Sequence, residues 1–463
     1  MANYSERLAA FVAGLSLDQV PGDVVRYAKL LVLDQLGCQI AFATRPWSAR
    51  YRTGVLAMGA AQGATVVYYG DKVTVSDAAF LNSAFGHGDE FDDTHIKSPT
   101  HPGAVVIPAV LAVAEHGRRS GRDVLEATIA GYEVQLRLSI AGSPYLHERG
   151  HHSPTAVGVF GAAAGAARLL DQDAEGCLHA LAIAGSHAAG LLEYTQAGGS
   201  VKRIHCAIPA QAGVRSAVFA QQGITGPRSV LEGKRGFFRV FAEDAKLDTI
   251  VDRLGELWRI MEVGFKPYNC CYYIHTQLEA LDELVGKHRL SVDDIAHITV
   301  GSSDQGSRHT GVIKEPVDIL AAQFSNSFSL AVRLLRGGNE AKDYREEDLR
   351  DPRFLELASR IDTVVDPICE AEHPGNFSSI LTIVTRDGRR LEHRERFSRG
   401  LIEKPMSEAD LTRKFMDLAA PNIGAAAAEQ IVAYVAELER RDDVSELLKL
   451  MVSATRAPAL AGA

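Results

Sequence analysis

Residues 378–397 read SSILTIVTRDGRRLEHRERF. Two β-rich runs flank Asp387-Gly388, the dipeptide that a type I′ turn favours because both central residues take positive φ, so the stretch predicts a hairpin. A second β-branched run, DIAHITVGSS (294–303), lies upstream, and between the two QFSNSFSLAVRLLRGG (323–338) and DPRFLELASRI (351–361) have helical spacing. Residues 265–400 therefore read as a small α+β domain whose helices cover a sheet. On either side the apolar residues recur at i, i+3, i+4, i+7, as in GDVVRYAKLLVLDQLGCQIAF, HPGAVVIPAVLAVAEHG and GRDVLEATIAGYEVQLRLSIA. Ser407, followed by Glu408 and Asp410, reads as the N-cap of a further helix. The fold class expected is mainly α: a large helical domain, 1–264 plus 401–463, with the α+β domain inserted.

At 463 residues the chain exceeds what one core usually supports, in keeping with two domains. With 46% apolar and 23% charged residues it falls among soluble globular proteins and has no stretch that reads as disordered. The net charge of −9 argues against a nucleic-acid or anionic-membrane partner, so any anionic ligand needs a local basic cluster. Six scattered cysteines without CxxC spacing suggest reduced thiols in a cytosol-like compartment. The beginning of the chain lacks a basic leader segment, and the most apolar stretch (153–167) is shorter than the ~20 residues of a membrane span, so a cytoplasmic protein is expected.

Four segments concentrate chemistry. GHGDEFDDTHIKSPTHPGA (86–104) holds four acidic residues and three histidines just after a helix that Ser76 is expected to cap. Asp92, Asp93, His95 and His101 could converge on a metal, but a carboxylate-plus-histidine acid/base site fits better, since histidine moves protons near neutral pH and a carboxylate fixes its tautomer. A solvated loop is the plain alternative. In HERGHHSPTAVGVFG, His151 and His152 precede a helix start, whose amides suit an anion. Its glycines lack the G-x-G-x-x-G spacing of a dinucleotide site. In SVKRIHCAIPAQAG, Lys202, Arg203 and His205 form a basic group before a helix, suited to a carboxylate unless it is merely a solvated turn. VGFKPYNCCYYIHTQ, at the domain junction, brings Lys266, Cys270, Cys271 and His275; nothing identifies a base that would activate either thiol.

In order and spacing, GHGDEFDDTH…HPGA, HHSPTAVGVFGAAAGAARLL, KRIHCAIPAQAGVRSAVFAQQGITGPRSVLEG, FKPYNCCYYIHTQLEAL, QFSNSFSLAVRLLRGG and KPMS together resemble the MmgE/PrpD family, which includes 2-methylcitrate dehydratase, cis-aconitate decarboxylase and iminodisuccinate epimerase. The resemblance spans essentially the whole chain. It implies a helical domain with an α+β lid, a homodimer, a small polycarboxylate substrate, and a site in the interdomain cleft with no metal and no cofactor. Carried over residue by residue, it places catalytic roles on Asp93, His101, His152, Lys202 and Lys266, and substrate binding on Thr94, Arg203, His205 and His275. The leading expectation is a cofactor-free lyase that dehydrates or hydrates a citrate-like acid through α-proton abstraction. Epimerisation of a dicarboxylate, decarboxylation, and carboxylate binding without turnover stay open. Phe328 stands where cis-aconitate decarboxylases carry a tyrosine, which counts against decarboxylation. The contribution of Lys97 is likewise open.

Overall fold

The helix Ser153–Leu169 is buried along its length except at Arg168, and its small residues explain how. Where it crosses the helix Gly121–Gly142, a Cβ on Gly131 would stand 2.8 Å from the Gly161 carbonyl oxygen, and one on Gly161 would stand 2.9 Å from that of Gly131. Two backbones approach this closely only where neither residue carries a side chain. Around this crossing pack the helices Pro102–Gly117 and Ala207–Gln221, each begun or filled by Pro, Ala and Gly as the sequence suggests.

The computed structural model describes residues 3–59, 61–197 and 199–454. The chain divides into two units, one of residues 1–88, 92–263 and 407–463, the other of 89–91 and 264–406. The first unit is the helical one. Its two-stranded ribbon, β1 (Ala64–Thr65) and β2 (Lys72–Val73), is its small sheet. The C-terminal helix Glu408–Ile423 starts at Ser407, which forms a capping box with Asp410, and it lies along the helix Gly22–Phe42. There Lys414 and Asp34, 7% and 3% exposed, form an ion pair at 2.7 Å.

The second unit carries a four-stranded sheet in the order β4-β3-β5-β6: β3 is Ile295–Ser302, β4 Ile361–Val365, β5 Ser379–Thr385 and β6 Arg390–Glu395. β3 runs parallel to β4 and antiparallel to β5, and β5 and β6 form the hairpin. Ile298, Val300, Leu381 and Ile383 are buried, and the helix His275–His288 packs on β5 and β6. β6 alternates exposed charged residues, as an outer strand that must not pair with another chain does.

Three expectations are corrected. The hairpin loop has positive φ at Gly388 (89°) and not at Asp387, so a type I′ turn is not formed; residues 386–389 span the strands with Gly388 N–H donating to the Thr385 carbonyl. The helix Val75–His87 is capped by Thr74, whose hydroxyl accepts from the Asp77 amide, and Ser76 lies inside it. The unit boundaries fall at 263/264 and 406/407, with 89–91 joining the second unit. Residues 401–404 fold back onto it: Phe265 N–H donates to the Gly400 carbonyl, Gly400 N–H to that of Lys404, and the Lys404 ammonium to Glu279.

The buried Lys414–Asp34 pair ties the last segment of the helical unit to its first. Breaking a buried pair by replacing one member is strongly destabilising, so Lys414→Met should cost about 3–5 kcal/mol in urea unfolding, and adding Asp34→Asn should restore part of it.

Candidate active site

The acidic loop is not solvated. Asp89, Glu90, Asp92, Asp93, Thr94 and His95 are each 5% exposed or less, and Lys97 alone of this stretch points to solvent. Ionisable groups are buried this way only with directional partners, and in the helical unit those partners can be followed residue by residue.

Pro102 at the first position of the helix Pro102–Gly117 sets its start and keeps His101 before it out of the helical conformation. The Asp93 carboxylate accepts from the Gly103 amide (2.9 Å) and from the Tyr132 hydroxyl (2.7 Å). A Cβ at residue 103 would lie 2.7 Å from that hydroxyl and 2.8 Å from both carboxylate oxygens, so glycine is required there. Burial pushes the Asp93 carboxyl up to about 8, against the opposing pull of the Tyr132 and Gly103 hydrogen bonds. The Asp93 carbonyl oxygen lies 2.8 Å from His101 Nδ1, with Thr94 Oγ1 at 3.2 Å. A carbonyl only accepts, so His101 carries its proton on Nδ1 and its lone pair on Nε2.

The neighbouring Asp92 faces the histidines with its side chain: Oδ2 is 2.8 Å from His87 Nδ1 and 3.3 Å from His101 Nδ1. His87 lies edge-on to His101, ring centres 5.0 Å apart, and 6.4 Å from His152. His152, 8% exposed at the start of the helix Ser153–Leu169, and His205, 4% exposed, meet Nδ1 to Nδ1 at 3.0 Å. One nitrogen must donate and the other accept, so the contact holds a single proton. Burial, then the neighbouring His205, pushes His152 well below the usual histidine range; burial and then Lys202 lower His205 to about 4. Tyr194 lies edge-on to both rings.

The basic turn is also buried. Lys202 is 3% exposed and Arg203 9%, the latter donating to the Gly88 carbonyl (3.3 Å) with its guanidinium over the Trp47 ring. Asp93, Thr94, His101, His152, Lys202, Arg203 and His205 thus all belong to the helical unit, and the histidines among them form one chain with His87. His151 turns away from it and packs on Phe241. His95 braces the loop through Ser98 (2.7 Å) and Glu262 (3.3 Å). His87, Asp92 and His101 offer donor atoms within 4.8 Å of one another, the spacing of a metal triad. Two of those atoms are the Nδ1 nitrogens that face Asp92, and His101 Nδ1 has its proton committed to a carbonyl.

In the second unit, Lys266 is 1% exposed and lies 3.3 Å from both the carboxylate and the carbonyl oxygen of Glu90, whose φ of 55° is left-handed. Asn269 and Gln323 both donate to the Asp89 carbonyl. His275 is fully buried, donating from Nε2 to the Cys270 carbonyl at 3.2 Å and stacked on Tyr272. Burial raises the Cys270 thiol, which makes it a poor nucleophile. All six cysteines are buried. Phe328 is 1% exposed and packs against Phe354.

Sequence reasoning missed His87, Tyr132, Tyr194 and Glu90, and weighed Asp92 only as a metal ligand. Tyr132 lies among apolar positions of a helix, where nothing marks it. The pairing of Asp92 with a histidine five positions earlier depends on the chain folding back after Gly88.

A buried row of histidines, with Lys202 near enough to His205 to lower it, is carried on the helical unit. The chain matches the MmgE/PrpD N-terminal domain over residues 6–250 and the MmgE/PrpD C-terminal domain over 268–440, and it belongs to that family. It is 30% identical to a cis-aconitate decarboxylase of Aspergillus terreus, over 98% of this chain and 97% of the relative. It is 26% identical to the human cis-aconitate decarboxylase, over 97% and 95%, and 25% identical to the 2-methylcitrate dehydratase of Cupriavidus necator, over 86% and 91%. Among the described residues no helix is long and apolar enough to cross a membrane.

The raised Asp93 carboxyl gives a pH test. Its neutral form is favoured in the fold, so its contribution is fully present below the unfolded value of 3.8 and is lost as pH rises toward about 8. Thermal melts of Asp93→Asn, whose amide does not titrate, should therefore gain on the parent protein between pH 5 and pH 9.

Proposed function

We propose that this protein is a lyase acting on a small citrate-like polycarboxylate, without metal or cofactor, by abstraction of a proton next to a carboxylate. The observation that carries the reading is His101 Nδ1 at 2.8 Å from the Asp93 carbonyl, which leaves the lone pair on Nε2 and makes this ring the base. Lys202 and Arg203 hold substrate carboxylates and stabilise the charge that develops on the carbon as its proton leaves; electrostatic help of this kind is usually the largest single contribution. In dehydration the C–H and C–O bonds break, the double bond forms, and the departing hydroxyl takes the proton that His101 has received, so the ring returns to neutral and water leaves. His152 and His205 are both neutral at pH 7, as their lowered values require, and keep the proton they share. The family resemblance gives Lys266, which pairs with Glu90, a catalytic role as well.

Decarboxylation is the second reading, favoured by the similarity to cis-aconitate decarboxylases over nearly the whole chain. There the C–C bond to a carboxylate breaks, carbon dioxide leaves, and the carbanion is protonated. Phe328 offers no hydroxyl for that step and is packed in the interior of its own unit. The homodimer and the cytoplasmic location implied by the family resemblance belong to the same proposal.

Proton NMR in deuterated water of chelator-treated protein with 2-methylcitrate, cis-aconitate and iminodisuccinate separates the chemistries. Gain or loss of water supports the lyase, carbon dioxide release supports the second reading, and deuterium exchange into an unchanged skeleton replaces both with an isomerase. His101→Ala and Lys202→Ala should each abolish turnover, by ~10²-fold or more, with thermal melts unchanged in cooperativity; full activity in both overturns the proposal.

A further inference from the structure

Asp92 is fully buried, and one of its oxygens serves two imidazoles, His87 Nδ1 at 2.8 Å and His101 Nδ1 at 3.3 Å. We propose that Asp92 is the positioning carboxylate of the site: it holds His87 and His101 through their Nδ1 atoms and stabilises the imidazolium that His101 becomes when Nε2 takes the substrate proton. The inference rests on the reading of His101 as the base and adds to it the group that makes the base effective.

The division of labour between the two adjacent acids follows from where their atoms point. Asp93 fixes the position of His101 by its carbonyl and spends its carboxylate on Gly103 and Tyr132. Asp92 supplies the negative charge. Before proton transfer His101 is neutral and gains little from a carboxylate 3.3 Å from Nδ1. After transfer the ring is a cation next to an anion in a water-poor setting, where their attraction is far stronger than in water. Asp92 therefore lowers the energy of the proton-transferred state and leaves the binding of substrate alone. His87, fully buried and edge-on to His101, is held by the same oxygen and sets the plane against which the His101 ring rests. His87 cannot turn to present Nδ1 to substrate without losing its bond to Asp92, nor His101 without losing its bond to the Asp93 carbonyl.

The test is Asp92→Asn in the full chain. For whichever acid of the panel turns over, kcat should fall by about 100-fold or more while KM stays within about 2-fold, since an amide in place of a carboxylate that orients a histidine disturbs the tautomer and removes the charge. In ¹⁵N-histidine-labelled protein the downfield Nδ1–H resonances of His87 and His101, assigned with His87→Gln and His101→Gln, should shift or vanish in Asp92→Asn. A kcat within about 3-fold of the parent, or unchanged Nδ1–H resonances, overturns the proposal. The resonances are read without substrate: a silent panel with shifted resonances upholds the positioning and removes the function it was to serve. Should Asp92→Asn fail to fold, Asp92→Glu replaces it. A displaced carboxylate that lowers kcat at constant KM supports the proposal, and parental kcat overturns it.

Discussion

Asp93 joins three pieces of backbone that are distant in the chain. Its carboxylate takes the amide of Gly103 in the first turn of one helix and the hydroxyl of Tyr132 from the middle of the next, while its carbonyl takes the proton of His101. Because the side chain and the main chain of one residue are both committed, the loop from His87 to His101 has little freedom left. The cost of burying that carboxyl shows in its raised value, and the two donors aimed at it offset only part of it. The Gly131–Gly161 crossing acts one layer deeper: it brings the helix that carries Tyr132 against the helix that begins after His152. His101 and the paired histidines therefore share one rigid support.

Much of this was legible in the sequence, and for identifiable reasons. The helix Gly22–Phe42 matches the periodic segment at both ends, and Ser407 with Asp410 announces its helix through a capping box that is wholly local. The β5–β6 hairpin was visible in two β-rich runs around Asp387-Gly388, although the type of turn was not, because Gly388 alone supplies the positive φ. β4 was missed: five residues with Asp362 and Thr363 in them follow directly on a helix, and only their parallel pairing with β3 makes them a strand. The assignment of 89–91 to the second unit could not be read either, since it comes from Lys266, Asn269 and Gln323, all more than 170 positions away in the chain.

For the site, the sequence supplied the cast but not the relations. His101, His152, Lys202, Arg203 and His205 stand out because polar residues interrupt alanine-rich helices. That the basic turn and acidic loop are buried could not be read, because burial depends on what covers them. The choice between two adjacent aspartates is a matter of which way each side chain turns at the end of a broken helix. Residue type gives no hint of it, and it separates the residue that shapes the loop from the one that faces the histidines.

The join between Asp34 and Lys414 has a consequence for synthesis. A ribosome delivers Asp34 early and Lys414 some 380 residues later, after every residue of the second unit has emerged. The inserted α+β unit can thus complete its sheet on the nascent chain while the helical unit still lacks its closing segment. The first unit is sealed only when the helix Glu408–Ile423, which carries Lys414, arrives.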